Sequence, residues 1–170
     1  AAARLGVICP YKVIVSLIDK AMVNDFAMKH GITLVENDAI GARWVANLIA
    51  MDQAVKHVHA TKIISFHSRV NLAKEFASDS PRGISQYLDG YDVRHVNGTQ
   101  SSGERSGIVD AFATSPYSLL TNARCLTEGV NIPAVDMVAF IDPRQSRVYI
   151  AQAVGRAMRK PRGPSPKQLG

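Results

Sequence analysis

The chain has 170 residues, 46% of them hydrophobic, so it is long and apolar enough to build the core of one ordinary domain, and a disordered chain is excluded. Its formal net charge is +6, which is compatible with a polyanionic partner without demanding one. Cys9 and Cys125 stand far apart with no Cys or His at metal spacing, so a disulfide framework is not expected and a reducing, cytoplasmic setting is. No apolar run approaches the roughly 20 residues of a membrane helix, and Ala1-Ala2-Ala3-Arg4 lacks a signal peptide's apolar stretch.

In chain order, Val13 to Ile18 is a short run rich in β-branched residues and predicts a first strand. Ala39 to His57 has helical spacing, with Val45, Leu48, Ile49 and Val55 on roughly one side. Ile63-Ile64-Ser65-Phe66 is a compact strand candidate. Ser68 is placed to cap the helix that follows through Leu72, Ala73, Phe76 and Ala77. Asp92 to Val96 predicts the next strand. Ser101-Ser102-Gly103-Glu104 fits a capping box, after which Ile108, Val109 and Phe112 give a helical face. Tyr117 to Thr121 and Val135 to Phe140 predict two more strands, and a last helix is expected from about Val148 to Met158. The Pro-rich basic stretch 161–170 reads as a linker or truncated tail behind a domain spanning 1–160, and both ends are expected to be cut from a longer chain.

Strands alternating with helices of this length imply an α/β fold with a mainly parallel central sheet and helices on both faces. The strands are near-continuous apolar runs, as a sheet covered on both faces requires. Ligands of such sheets collect at the carboxyl ends of the strands. Chemistry is therefore expected in the loops after Phe66, Val96, Thr121 and Phe140.

The last predicted helix carries the most information. At about 100° per residue, Ile150, Val154 and Ala157 point one way while Gln152, Arg156 and Arg159 fall on the opposite side. One face packs and the other presents an amide and two guanidiniums, whose planar forks match phosphate oxygens. Gly155 costs roughly 1 kcal/mol against Ala in a helix interior, which suggests that something approaches closely there.

The run Gln152-Ala153-Val154-Gly155-Arg156-Ala157-Met158-Arg159 resembles motif VI of superfamily 2 helicases, QxxGRxxR. Upstream, Leu119 to Pro133 resembles motif V, a strand followed by a loop that contains Glu128-Gly129-Val130-Asn131-Ile132-Pro133. Ile63 to Arg69 resembles motif IV, and His95-Val96-Asn97-Gly98 with Glu104-Arg105 and Phe112 is similar to a further element of the family. That element is read as mostly structural, with Gly98 for a turn and Phe112 for the core. The resemblance covers roughly residues 60 to 160, and the order IV, V, VI is more specific than any one motif. It implies the second RecA-like domain of a helicase or translocase, with Arg156 and Arg159 as arginine fingers that neutralise charge developing on a transferred phosphoryl group, and Gln152 beside them. Glu128, Gly129 and Asn131 would border the nucleotide, although Asn131 stands where the family usually has Asp. Ser68, Arg69, Thr121 and Asn122 would meet the nucleic-acid backbone. The motif style is nearer to restriction and repair translocases than to RNA-specific DEAD-box proteins, so DNA is favoured over RNA as the track.

The sequence contains no G-x-x-x-x-G-K-[ST] phosphate loop and no DExx box, which in this family belong to the first RecA-like domain. The resemblance thus implies that ATP and Mg²⁺ are held mainly by that partner domain of the same parent chain, and that this chain alone, expected to be a monomer, does not hydrolyse ATP. No metal ligand set is expected here. His57 and His59 are read as surface residues near a helix end, Trp44 as core, and Cys125 as lacking a general base; Tyr87 could stack on a base. Two other readings stay open: a non-catalytic nucleic-acid-binding module of RecA-like shape, and an unrelated nucleotide- or sugar-binding α/β domain.

Overall fold

The computed structural model describes residues 12–35, 38–123 and 135–142. The first helix, α1 (Lys20–Lys29), was not anticipated from the sequence. It starts because the Asp19 carboxylate accepts the Met22 amide at 2.9 Å, and it buries Val23 and Ala27. Helix α2 (Ala39–Val58) is opened in the same way by Asp38, which accepts the amides of Ile40 and Gly41 at 3.1 and 2.9 Å. Gly41 is needed there, because a Cβ would stand 2.3 Å from the second carboxylate oxygen of Asp38. Helix α2 ends at His59, whose φ of 53° lies in the left-handed region.

Strand β1 (Lys62–Phe66), helix α3 (Val70–Phe76), a 3₁₀ turn (Ile84–Gln86), strand β2 (Asp92–Asn97), helix α4 (Ser102–Thr114), strand β3 (Ser118–Ala123) and strand β4 (Met137–Phe140) follow. The four strands form one sheet in the order β2-β3-β1-β4, and every neighbouring pair is parallel. Parallel strands bury both faces, and two clusters fill them. On one side Ile63, Leu119, Val93, Met137 and Ala139 pack beneath α1, α2, Phe76 of α3 and the 3₁₀ turn. On the other, Ile64, Phe66, Leu120, Val96, Val138 and Phe140 pack against Ile108, Val109 and Phe112 of α4. The expected α/β architecture with helices on both faces is therefore observed. So is the capping box: the Ser101 hydroxyl accepts the Glu104 amide and Glu104 accepts the Ser101 amide. These bonds from Ser101, its side chain first and its backbone second, hold the exposed Glu104 carboxyl below its ordinary range.

Three sequence expectations are corrected. Residues 12–19 form no regular structure, and Val13, Val15 and Leu17 are 79%, 77% and 89% exposed. An extended run becomes a strand only by pairing its backbone with a neighbour, and no described strand pairs with it. Strand β4 begins at Met137 rather than Val135, because Asp136 turns to accept the Thr61 amide, the Thr61 hydroxyl and the Lys62 amide at 2.9, 2.7 and 2.9 Å. Ser68 does not cap α3. The residue at the cap is Arg69, which makes no side-chain capping bond. Trp44 is core, as expected: its indole donates to Arg82 O at 2.8 Å and its ring meets Phe76 edge-on. His57 and His59 are exposed, as expected. Tyr87 packs among Phe26 and His30 and donates its hydroxyl to Pro81 O, so its ring is not presented for stacking on a base.

Candidate functional site

The register places one residue each of β2, β3 and β1 in a row near the carboxyl end of the sheet: His95 of β2 opposite Thr121 of β3, and Thr121 opposite Ser65 of β1. Ser65 and Thr121 are completely buried, an unusual position for polar side chains in a row otherwise meant for aliphatics. Buried polar groups must be paired, and here the pairing can be followed atom by atom. The Thr99 amide and hydroxyl donate to Asn97 Oδ1 at 2.9 and 2.6 Å. That fixes the amide, so Asn97 Nδ2 is the group facing His95 Nε2 at 3.1 Å and must donate to it. His95 Nε2 is then an acceptor and the proton sits on Nδ1, which donates to Thr121 Oγ1 at 2.9 Å. His95 is neutral in this arrangement. Its pKa lies below the ordinary value, chiefly through burial, then through the charge of Lys74, with the backbone hydrogen bond at Thr121 opposing. On β1, Ser65 Oγ meets His67 Nε2 at 3.0 Å, and the buried His67 ring packs on Phe76 at 5.0 Å.

Beyond the row, the chain exits of the strands are tied together. The His67 amide donates to Asn122 O at 2.9 Å and the Ile141 amide to Phe66 O at 3.1 Å. The Ser68 amide and hydroxyl both donate to Asp142 Oδ2, at 2.7 and 3.0 Å. Arg69 comes next and is exposed.

Of the residues expected to touch nucleic acid, Ser68 and Arg69 thus stand at one end of the sheet with Thr121 and Asn122. Thr121 and Asn122 are both 0% exposed. The Thr121 hydroxyl is engaged with His95, and a phosphate cannot reach a hydroxyl inside the sheet. Gln152, Arg156, Arg159, Glu128, Gly129 and Asn131 lie outside the described residues, as do the last predicted helix, Cys125 and the 161–170 tail. Asp142 and the Asn97–His95 link were not singled out as site residues; an acidic residue directly after an apolar strand was the available signal for the first. Among the described residues no group of three or more His, Cys, Asp or Glu side chains is gathered to hold a metal, so no Mg²⁺ site is assigned to them. No helix among them is long and apolar enough to cross a membrane.

Comparison with known proteins decides the family. Residues 45–161, well over half of the chain, match the family described as helicase conserved C-terminal domain. The chain belongs to that family. The match takes in all four described strands together with the segments that resemble motifs IV, V and VI. The UvrABC system protein B of Synechococcus sp. (strain JA-3-3Ab) is 34% identical over 100 residues, which cover 54% of this chain and 14% of that protein. The chain therefore spans a small part of the curated relatives it matches. Among solved structures, the ATP-dependent Type ISP restriction-modification enzyme LlaBIII bound to DNA aligns with a TM-score of 0.73 at 24% identity, covering 95% of this chain and 12% of that one. The C-terminal domain of a DEAD-box protein aligns with a TM-score of 0.53 at 16% identity, covering 72% of this chain and 66% of that one. At these identities the structural likeness concerns the fold, which is that of RecA-like helicase C-terminal domains of superfamily 2.

Proposed function

We propose that the chain is the second motor domain of an ATP-dependent DNA helicase or translocase, with residues 1–160 as the domain and 161–170 as a linker. The observation that carries this reading is the order of motifs IV, V and VI inside the matched span, with the strands of IV and V lying side by side in register, so that their loops leave from one end of the sheet. A structural neighbour titled as a restriction-modification enzyme bound to DNA favours DNA as the track. The two separated cysteines fit a reducing cytoplasmic setting.

In this reading ATP lies between the first RecA-like domain of the parent and this one. That partner domain holds the nucleotide and Mg²⁺, which shields the phosphate charge when bound. Arg156 and Arg159 reach the phosphates from this side, Gln152 helps position the nucleotide or its water, and Glu128, Gly129 and Asn131 border the nucleotide. Arg69 holds one strand's backbone, and Ser68, whose amide and hydroxyl both donate to Asp142, holds the loop that carries it. Thr121 and Asn122 act from beneath, fixing the strand end from which the motif V loop departs. Grip of this kind is independent of sequence and weakens with salt.

DNA- and RNA-stimulated ATP hydrolysis tests this reading in the parent protein, in its Arg156→Ala variant and in this chain alone. The expected result is stimulation of the parent by DNA, a loss of about 10³-fold or more in the variant and no hydrolysis by the chain. Normal hydrolysis by the variant would overturn the arginine-finger role and favour a non-catalytic binding module.

A further inference from the structure

Strands β1 and β4 share their last register pair at Phe66 and Phe140, and one further backbone bond, from the Ile141 amide to Phe66 O, ends the ladder. Beyond it the two exits are clipped by side chains. Asp142 Oδ2 takes both donors of Ser68, its amide and its hydroxyl, and charge-assisted bonds of this type are roughly twice as strong as neutral ones. Asn47 of α2 donates to Ile141 O at 3.2 Å and steadies the same exit from the other side. A carboxylate beside the start of α3 could be a helix cap, but its contacts stop at Ser68, one residue before the cap position at Arg69. It therefore ties a loop and not a helix. On one side of this tie stands Arg69, the exposed cation of the nucleic-acid grip. On the other, Pro143 and the segment that carries Gln152, Arg156 and Arg159 follow in the sequence.

The geometry points to Asp142 as a positioning residue that couples the Ser68–Arg69 grip to the arginine-bearing segment after β4. The inference rests on the motor-domain reading above. A backbone phosphate that draws on Arg69 pulls the adjoining Ser68, and Asp142 moves with it, because both Ser68 donors meet on one carboxylate oxygen. Asp142 itself touches no reacting atom. Its loss should uncouple the two sites while leaving each of them intact.

The test uses the parent protein and three variants, Asp142→Ala, Asp142→Asn and Asn47→Ala. The measured quantity is the factor by which a non-hydrolysable ATP analogue changes the Kd for a single-stranded DNA oligonucleotide, beside basal and DNA-stimulated hydrolysis and the melting temperature. Asp142→Ala is expected to shrink the coupling factor by about 5-fold or more and to abolish stimulation while basal hydrolysis stays. Asp142→Asn keeps an acceptor oxygen for both donors and should recover most of the coupling. Asn47→Ala should lose a smaller part of it, and it decides the matter if Asp142→Ala fails to fold: unchanged coupling there overturns the proposal. The proposal also falls if Asp142→Ala keeps the full coupling factor, or loses basal hydrolysis and stability in proportion. Failure of the motor reading looks different, since the unmutated parent would then show no DNA stimulation, or Arg156→Ala would hydrolyse ATP normally.

Discussion

Thr121→Val separates a buried structural hydroxyl from one that grips nucleic acid. Valine nearly matches threonine in volume but removes the acceptor of the His95 Nδ1 proton, which now lies at 2.9 Å from Thr121 Oγ1. His95 cannot simply move that proton to Nε2. The Asn97 amide facing it is fixed as a donor by the two bonds from Thr99. The substitution therefore removes the side-chain acceptor beside a residue that is 0% exposed and leaves the His95 donor only the backbone at Thr121. Loss of one such bond costs about 0.5–1.5 kcal/mol. With a urea m-value of about 2 kcal/mol per molar, the unfolding midpoint should fall by roughly 0.5 M at unchanged m. The assay is urea unfolding of the chain, followed by circular dichroism, beside DNA affinity. An unchanged midpoint together with weakened DNA binding would refute the reasoning, because it would place the hydroxyl on the surface and on the track.

Other consequences can be checked in the same preparations. Because His95 is held below its ordinary pKa, the unfolded chain takes up its proton first, near pH 6.5, so the stability contribution is complete above that pH and is lost as pH falls through the folded pKa. His95→Gln should flatten this acid limb in a series of melting curves, and an unaltered limb would place its origin elsewhere. Arg69→Ala should weaken DNA binding about equally for all sequences and flatten the salt dependence of log Kd by about 0.9, and an unchanged slope would remove Arg69 from the track. Gly83→Ala would set a Cβ 1.8 Å from the Ser78 carbonyl oxygen, costing about 1–3 kcal/mol. Since Trp44 donates to the neighbouring Arg82 carbonyl, the change should appear in tryptophan fluorescence as well as in the melting temperature. Lys62 donates to the carbonyls of Phe112 at 2.6 Å, Ala113 at 3.0 Å and Ser115, closing the end of α4. Lys62→Met should therefore lower stability by about 1 kcal/mol and speed amide exchange in the last turn of α4.

The parts of the fold that were legible in the sequence are those whose cause is local. Asp92 to Val96, Ile63 to Phe66 and the Ser101–Glu104 box announce themselves because β-branched runs and caps act over a few residues. The Asp19 cap of α1 is equally local, but it stands directly behind an apolar run whose strand-like composition hides it. That run, Val13 to Ile18, has the composition of a strand but lacks a neighbour, and strand formation is a property of pairs.

By itself the sequence determined the alternation of elements, the parallel sheet covered on both faces, and the motif order that places the chain among helicase C-terminal domains. Each follows from residue type and spacing along the chain. Only the tertiary structure decided that Thr121 faces His95 inside the sheet rather than the solvent, that Ser68 answers to Asp142 rather than to α3, and that Asn97 sets the histidine tautomer. The reason is physical: hydrogen-bond partners such as Ser68 and Asp142, 74 residues apart, are chosen by strand register, and register is fixed only when the core packs.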